Sequence, residues 1–233
     1  MTEFAEVLRQ LSAAQKPAKG VSLYTRFVNR PAGRLLAAVA FRAGATPNQL
    51  TVLGALFTFP ALAAVALVPP GPTLAVCVAA SLAVGFALDA ADGQLARGQR
   101  SGSASGEWLD HVLDCVKIVT LHLVVLVSFY RFFTLPSPVF LLAPMVFQLA
   151  AVVIFFAGIL TEKLKRRIPG EAAPASPPAL RSVLLLPVDY GLTCVSFLFL
   201  GRQDVFLAVY CALLAAHVLF MAAFLVKWYR ELR

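Results

Sequence analysis

Residues 73–133 read TLAVCVAASLAVGFALDAADGQLARGQRSGSASGEWLDHVLDCVKIVTLHLVVLVSFYRFF. Two apolar runs, Thr73 to about Asp92 and Trp108 to about Phe133, flank a short polar turn. Each has the roughly 20-residue length that a helix needs to cross a bilayer. Four more such runs occupy 48–68, 139–161, 183–200 and 205–226. Proline and glycine punctuate them: Pro69, Pro70, Gly71 and Pro72 after the first run, Pro136 and Pro138 after the third, and PGEAAPASPPA before the fifth. Of 233 residues, 60% are hydrophobic and only 14% charged, against about 25% charged in a soluble domain. Mean hydropathy is +0.80. That leaves too little polar surface for a water-facing globule, and excludes a soluble enzyme, a disordered chain and a disulfide scaffold. The expected fold is an all-α membrane protein, with six transmembrane helices preceded by an N-terminal amphipathic interfacial helix.

The net charge is +8. In so apolar a chain this marks cytoplasmic loops rather than a nucleic-acid partner. The first 47 residues carry seven Lys/Arg, and the first connection carries none. Arg97 and Arg100 fall in the second connection, Arg131 alone in the third, and Lys163, Lys165, Arg166, Arg167 and Arg181 in the fourth. Arg202 is alone in the fifth, and the tail has Lys227, Arg230 and Arg233. The alternation predicts a multi-pass protein of the plasma (inner) membrane with both termini in the cytoplasm. Residues 1–20 form a polar segment without the apolar core of a secretory signal. In 21–43, Arg26, Arg30 and Arg34 recur at four-residue steps among Leu23, Phe27, Leu35, Leu36 and Val39. That pattern suits a helix lying on the membrane surface, with Pro31 starting its more regular part. Residues 44–233 make up the transmembrane domain. Cys77, Cys115, Cys194 and Cys211 sit in apolar stretches without a CxxC, and read as packing residues.

Four of the six aspartates lie within 26 residues: Asp89, Asp92, Asp110 and Asp114. The first two are i, i+3 at the end of one span; the others are i, i+4 at the start of the next. Each pair therefore shares a helical face. The short loop makes the two helices antiparallel neighbours, so the pairs can converge on the cytoplasmic side. Clustered carboxylates need cations or protons between them. With no Cys or His at ligand spacing, the oxygen donors favour Mg²⁺ or Mn²⁺ over zinc, and paired divalent ions serve in-line attack at phosphorus. A cation or proton relay in a transporter is the other reading of the four aspartates.

The intervening residues extend the pattern: D89-A-A-D92-G93-Q-L-A96-R97, eight residues, then G106-E-W-L-D110-H-V-L-D114. This resembles the signature of the CDP-alcohol phosphotransferase (phosphatidyltransferase) family of integral membrane enzymes at all eight of its fixed positions. The six spans, the N-terminal surface helix and the T46-P-N48-Q-L-T51 opening are also similar. The resemblance implies transfer of a substituted phosphate from a CDP-linked donor to an alcohol, with release of CMP, in phospholipid or related biosynthesis. It implies two divalent cations held by Asp89, Asp92, Asp110 and Asp114, with Asp114 also the general base. Asp92, Gly93, Ala96, Arg97 and Gly106 would surround the donor's cytidine and diphosphate. Asn48 and Thr51 either contact the nucleotide or only cap a helix. The resemblance also implies a homodimer among membrane lipids.

Two substrate classes share the signature: CDP-diacylglycerol with a polar alcohol, and a soluble CDP-alcohol with a lipid or small acceptor. The Asp110–His111 pair leans to the second and the basic fourth loop to the first. Candidate acceptor contacts are Lys117, Arg166, Arg167, Arg181 and Asp189. Lys117 reads equally as a snorkelling lysine and the three arginines as topological charge. His122 and His217 read as interhelical hydrogen-bonders.

Overall fold

A computed structural model of the chain describes residues 3–13, 21–165 and 185–233. The described residues are helical and turn segments without a strand. Helix α1 spans Glu3–Ala13. It lies within the polar N-terminal segment, where Phe4, Val7, Leu8 and Leu11 form one apolar stripe. A π-helical turn, Thr25–Asn29, leads into α2, Arg30–Arg42, with Pro31 in its first turn. Proline lacks an N–H and crowds the preceding turn, and the widened π turn accommodates it. Large residues on this segment face outward, including Phe27, Leu35 and Val39, while Gly33, Ala37 and Ala38 are buried.

Helix α3 (Pro47–Leu67) starts at a capping box: Thr46 Oγ1 accepts from Gln49 N at 3.3 Å, and Gln49 Oε1 accepts from Thr46 N at 2.8 Å. The prolines that follow end it. Helix α4 (Pro72–Gln99) and helix α5 (Ala104–Phe132) are joined by residues 100–103. At 28 and 29 residues they measure about 42 Å each, well beyond the ~30 Å hydrocarbon core. Helices α3 and α4 touch backbone to backbone: a methyl on Gly85 would lie 3.0 Å from Gly54 O. Helix α6 (Leu142–Lys165) follows a 3₁₀ turn. Helix α7 (Tyr190–Ser196) is short, with 3₁₀ turns on either side, and α8 (Gln203–Glu231) closes the chain. A core of Phe129, Phe147, Phe197, Phe206 and Tyr210 fills the end of the bundle away from the aspartates.

Among the described residues, five helices are long and apolar enough to cross a membrane. The described part of the fifth predicted run, 183–200, holds a shorter apolar helix, Tyr190–Phe199. Pro187 lies in a 3₁₀ turn, Leu186–Val188, and Asp189 caps the helix that follows by accepting from Gly191 N at 2.6 Å. Ten residues rise about 15 Å, half the hydrocarbon thickness. Polar contacts fix the directions of the others. Lys163 near the end of α6 pairs with Glu107 at the start of α5, and Lys165 meets Glu231 of α8 at 2.7 Å. Gln203 at the start of α8 bonds Phe132 O at the end of α5. The ends of α4, α6 and α8 and the start of α5 therefore share one end of the bundle, beside α1 and α2.

Candidate active site

Helices α4 and α5 run antiparallel and both pack against α3, which sets the two aspartate pairs across from each other. Lys117, one turn beyond Asp114, places its Nζ 2.7 Å from Asp114 Oδ1 and 2.9 Å from Asp89 Oδ1. The buried ammonium thus joins one carboxylate from each helix. Asp92 lies in the field of both Asp89 and Asp110, so all four acids form one electrostatic group. From a third helix, Thr51 Oγ1 donates to Asp92 Oδ2 at 2.6 Å and to Pro47 O at 3.1 Å. Asp92 is only 6% exposed, and an ionised group at that depth needs such partners.

A cavity of about 820 Å³ opens beside this group. The start of α3 contributes Asn48 and Thr51; the end of α4 contributes Asp92, Gly93, Ala96 and Arg97. Gly106 and Asp110 of α5 close the other side. Every residue that the sequence assigned to donor binding therefore faces one space. Asp89 and Asp114 do not line it; they sit behind Asp92 and Asp110, in the grip of Lys117. The small residues have geometric reasons. A methyl on Gly106 would stand 3.0 Å from Asn48 Oδ1, and one on Gly93 3.2 Å from Arg97 Nη1. Arg97 lies within electrostatic reach of Asp92 and of Arg30. Burial, then the neighbouring Arg26, push the Arg30 guanidinium below its ordinary value.

The donor set fits hard divalent cations: four carboxylates and a hydroxyl, two of the carboxylates already sharing a cation, Lys117. His111 adds a nitrogen that the spacing argument had not placed among the ligands. Ligand atoms of Asp110, His111 and Asp114 lie within 4.8 Å of one another, and His111 Nδ1 is 3.7 Å from Asp110 Oδ2.

Other candidates lie farther out. Asp189 Oδ2 accepts from Thr25 Oγ1 at 2.6 Å and from Ser22 Oγ, tying the N-terminal segment to α7. The Lys117 Nζ stands 5.5 Å from the centre of the Tyr190 ring, the next residue along. His122 meets Tyr210 Oη at 2.7 Å across helices, whereas His217 bonds Leu213 O of its own helix. Arg166, Arg167 and Arg181 fall outside the described residues. The sequence reading missed Gln99, Ser101, Ser103 and Glu107, which also line the cavity. Their signal was their place in the stretch between the two aspartate pairs, at the end of α4, in the turn and at the start of α5. It also treated Arg100 as topological charge, yet this residue lines the cavity from a left-handed conformation, φ 52° and ψ 35°.

The family model for CDP-alcohol phosphatidyltransferase matches residues 44–231. A search of curated proteins finds no match. Among solved structures, the chain is similar to phosphatidylinositol phosphate synthase of Mycobacterium tuberculosis with CDP-DAG bound, at 19% identity and a TM-score of 0.57, over 87% of this chain and 94% of that one. A structure of that synthase in complex with manganese and citrate matches at 20% identity and a TM-score of 0.55, over 83% and 87%. At such identity the likeness shows the fold. The chain belongs to the CDP-alcohol phosphatidyltransferase family, transferases of phosphate-containing groups in phospholipid biosynthesis.

Proposed function

We propose, from that family membership, that the chain transfers a substituted phosphate from a CDP-linked donor to an alcohol hydroxyl and releases CMP. Asp89, Asp92, Asp110 and Asp114 would hold two divalent cations, Mg²⁺ or Mn²⁺. The observation that carries the reading is the meeting of four carboxylates from α4 and α5 beside a cavity lined by the signature residues. When bound, the cations supply charge stabilisation to the diphosphate and to the attacking oxygen. Arg97 binds phosphate through its planar fork. Asn48, Gly93, Ala96 and Gly106 shape the nucleotide wall. The Asp114 carboxylate takes the proton from the acceptor hydroxyl. The freed oxygen bonds to the donor's β-phosphorus, the bond from that phosphorus to the bridging oxygen breaks, and CMP leaves with that oxygen.

CDP-diacylglycerol with a polar alcohol is one substrate pairing. The second, a soluble CDP-alcohol with a lipid or small acceptor, is favoured by His111 beside Asp110. Lys117, already engaged by two carboxylates, serves as their internal counter-cation, and Arg166, Arg167, Arg181 and Asp189 remain the candidates for the acceptor side.

The topology reading is six crossings with both termini in the cytoplasm. The segment from Asp189, beside Ser22 and Thr25, to Gly201, against Gly71, supports the sixth. The outward-facing Phe27, Leu35 and Val39 support a membrane-surface position for 21–43. A homodimer in the plasma membrane completes the proposal.

The test is CMP release by the purified protein in nanodiscs, with Mn²⁺ or Mg²⁺, across both pairings. Release with one pairing, abolished by EDTA, is expected. Undiminished release in EDTA would refute the metal-dependent reaction, and no release with any CDP-linked donor would refute the donor class.

A further inference from the structure

Helix α1 lies outside the stretch that the family model matches, yet it touches the cavity's framework. Its stripe buries Val7 and Leu11 against α2 and α4, with Leu11 only 1% exposed. Leu11 packs on Gly98, where a methyl would come within 2.5 Å of Leu11 Cδ2. Gln10 Nε2 donates to Gly98 O at 3.0 Å. That carbonyl is one of the last four of α4, which have no partner within the helix. Of these, Ala96 O accepts from Ser101 N at 3.0 Å and Arg97 O from Arg100 N at 3.3 Å. Gln10 therefore supplies from α1 a bond to a third of these carbonyls. A second tie holds the same stretch, as Gln99 Nε2 donates to Ala45 O at 3.2 Å.

The clamped residues are those that shape the cavity. Arg97 precedes Gly98, and Gln99, Arg100 and Ser101 follow it along the cavity wall. Arg100 holds a left-handed conformation, which residues other than glycine keep only where their surroundings impose it. At 11 residues, α1 is too short to persist as a helix unless docked. Docked, it is anchored to α2 by Arg34 Nη1, which donates to Ser12 Oγ at 3.1 Å.

We propose that α1 is a latch on the donor cavity: Gln10 and Leu11 are positioning residues that fix the last turn of α4, and so set Arg97 and Arg100 for the donor's phosphates. The ligand half of this proposal rests on the reading of the cavity as the CDP site. The latch acts on binding rather than on the bond-breaking step, because the aspartates lie one to three turns farther into α4 and in α5.

The test uses the full chain in nanodiscs with Mn²⁺ and two measurements: backbone amide exchange over residues 99–103, and the affinity for CDP by calorimetry. Leu11→Asp undocks the latch, and Gly98→Ala places bulk beneath it. Leu11→Asp should speed exchange over 99–103 about tenfold. Both variants should weaken CDP binding about five- to tenfold, with kcat for CMP release within about twofold of the parent. Leu11→Ala combined with Gly98→Ala makes room for the added methyl, and should bind CDP more tightly than Gly98→Ala alone. Unchanged exchange in Leu11→Asp, unchanged CDP affinity where the parent binds CDP, or a double variant no tighter than Gly98→Ala would each overturn the latch. A parent that does not bind CDP would overturn the donor reading instead, and the exchange measurement, which needs no nucleotide, would still decide whether α1 holds the α4 terminus.

Discussion

Replacing Lys117 with methionine keeps the apolar stem of the side chain and removes the ammonium that joins the two aspartate-bearing helices. Asp89 Oδ1 and Asp114 Oδ1 lie 2.9 and 2.7 Å from the same nitrogen, so they are at most 5.6 Å from each other. Two unit charges at that separation repel by about 3 kcal/mol at an effective dielectric constant of 20. Both carboxylates are about a quarter exposed, and solvent screening reduces the figure to about 2 kcal/mol. For a chain of this size that corresponds to a fall in Tm of about 4–8 °C without metal. Adding Mn²⁺ should restore more stability to Lys117→Met than to the parent, because no ammonium competes for the same oxygens. Pairing Lys117→Met with Asp89→Asn removes the repulsion and should recover most of the lost Tm. The assay is thermal unfolding in nanodiscs by tryptophan fluorescence, with EDTA and across a Mn²⁺ titration. An unchanged metal-free Tm, or weaker stabilisation by Mn²⁺ in Lys117→Met, would refute the counter-cation argument.

Asp114→Asn should abolish CMP release while leaving CDP affinity within about threefold of the parent, as expected for loss of a group used in the chemical step; calorimetry and a CMP assay on the same preparation check this. Thr51→Val removes the hydroxyl that bonds the buried Asp92 carboxylate at 2.6 Å, and should raise the Mn²⁺ concentration for half-maximal activity about tenfold, the worth of a charge-assisted hydrogen bond. Gly106→Ala, whose methyl would crowd Asn48 Oδ1, should raise the KM for the CDP-donor with little change in Tm, read from initial rates and unfolding scans.

The aspartate pairs were legible because helical periodicity alone puts i, i+3 and i, i+4 residues on one face, and a short polar turn forces the two faces together. The cavity followed for the same reason: Gly93, Ala96 and Arg97 continue the face of Asp92. What periodicity does not report is where the ends of long side chains go. Lys117 read equally as a snorkelling lysine, and only the packing of α4 and α5 against α3 turns it into the bridge between them. An apolar window also does not register that Pro187 and Asp189 precede the start of a new helix within the fifth run. Helix α1 was hidden by its mixed charge, although Phe4, Val7, Leu8 and Leu11 carry a helical stripe once the polar residues between them are set aside.

The tie from Ser22 and Thr25 to Asp189 has a consequence for the order of assembly. Its two halves are separated by more than 160 positions. At about 5–20 residues per second of synthesis, the early half waits roughly 10–30 seconds for its partner to emerge. Until then the two hydroxyls lack their acceptor, and the Asp189 carboxylate has only the backbone N–H groups of its own helix, Gly191 N among them. Closing this tie is therefore a late event, one that the other helices cannot complete by packing among themselves. Loss of Asp189 would consequently be felt first as less protein surviving quality control in the membrane, before any change in the turnover of the molecules that do assemble.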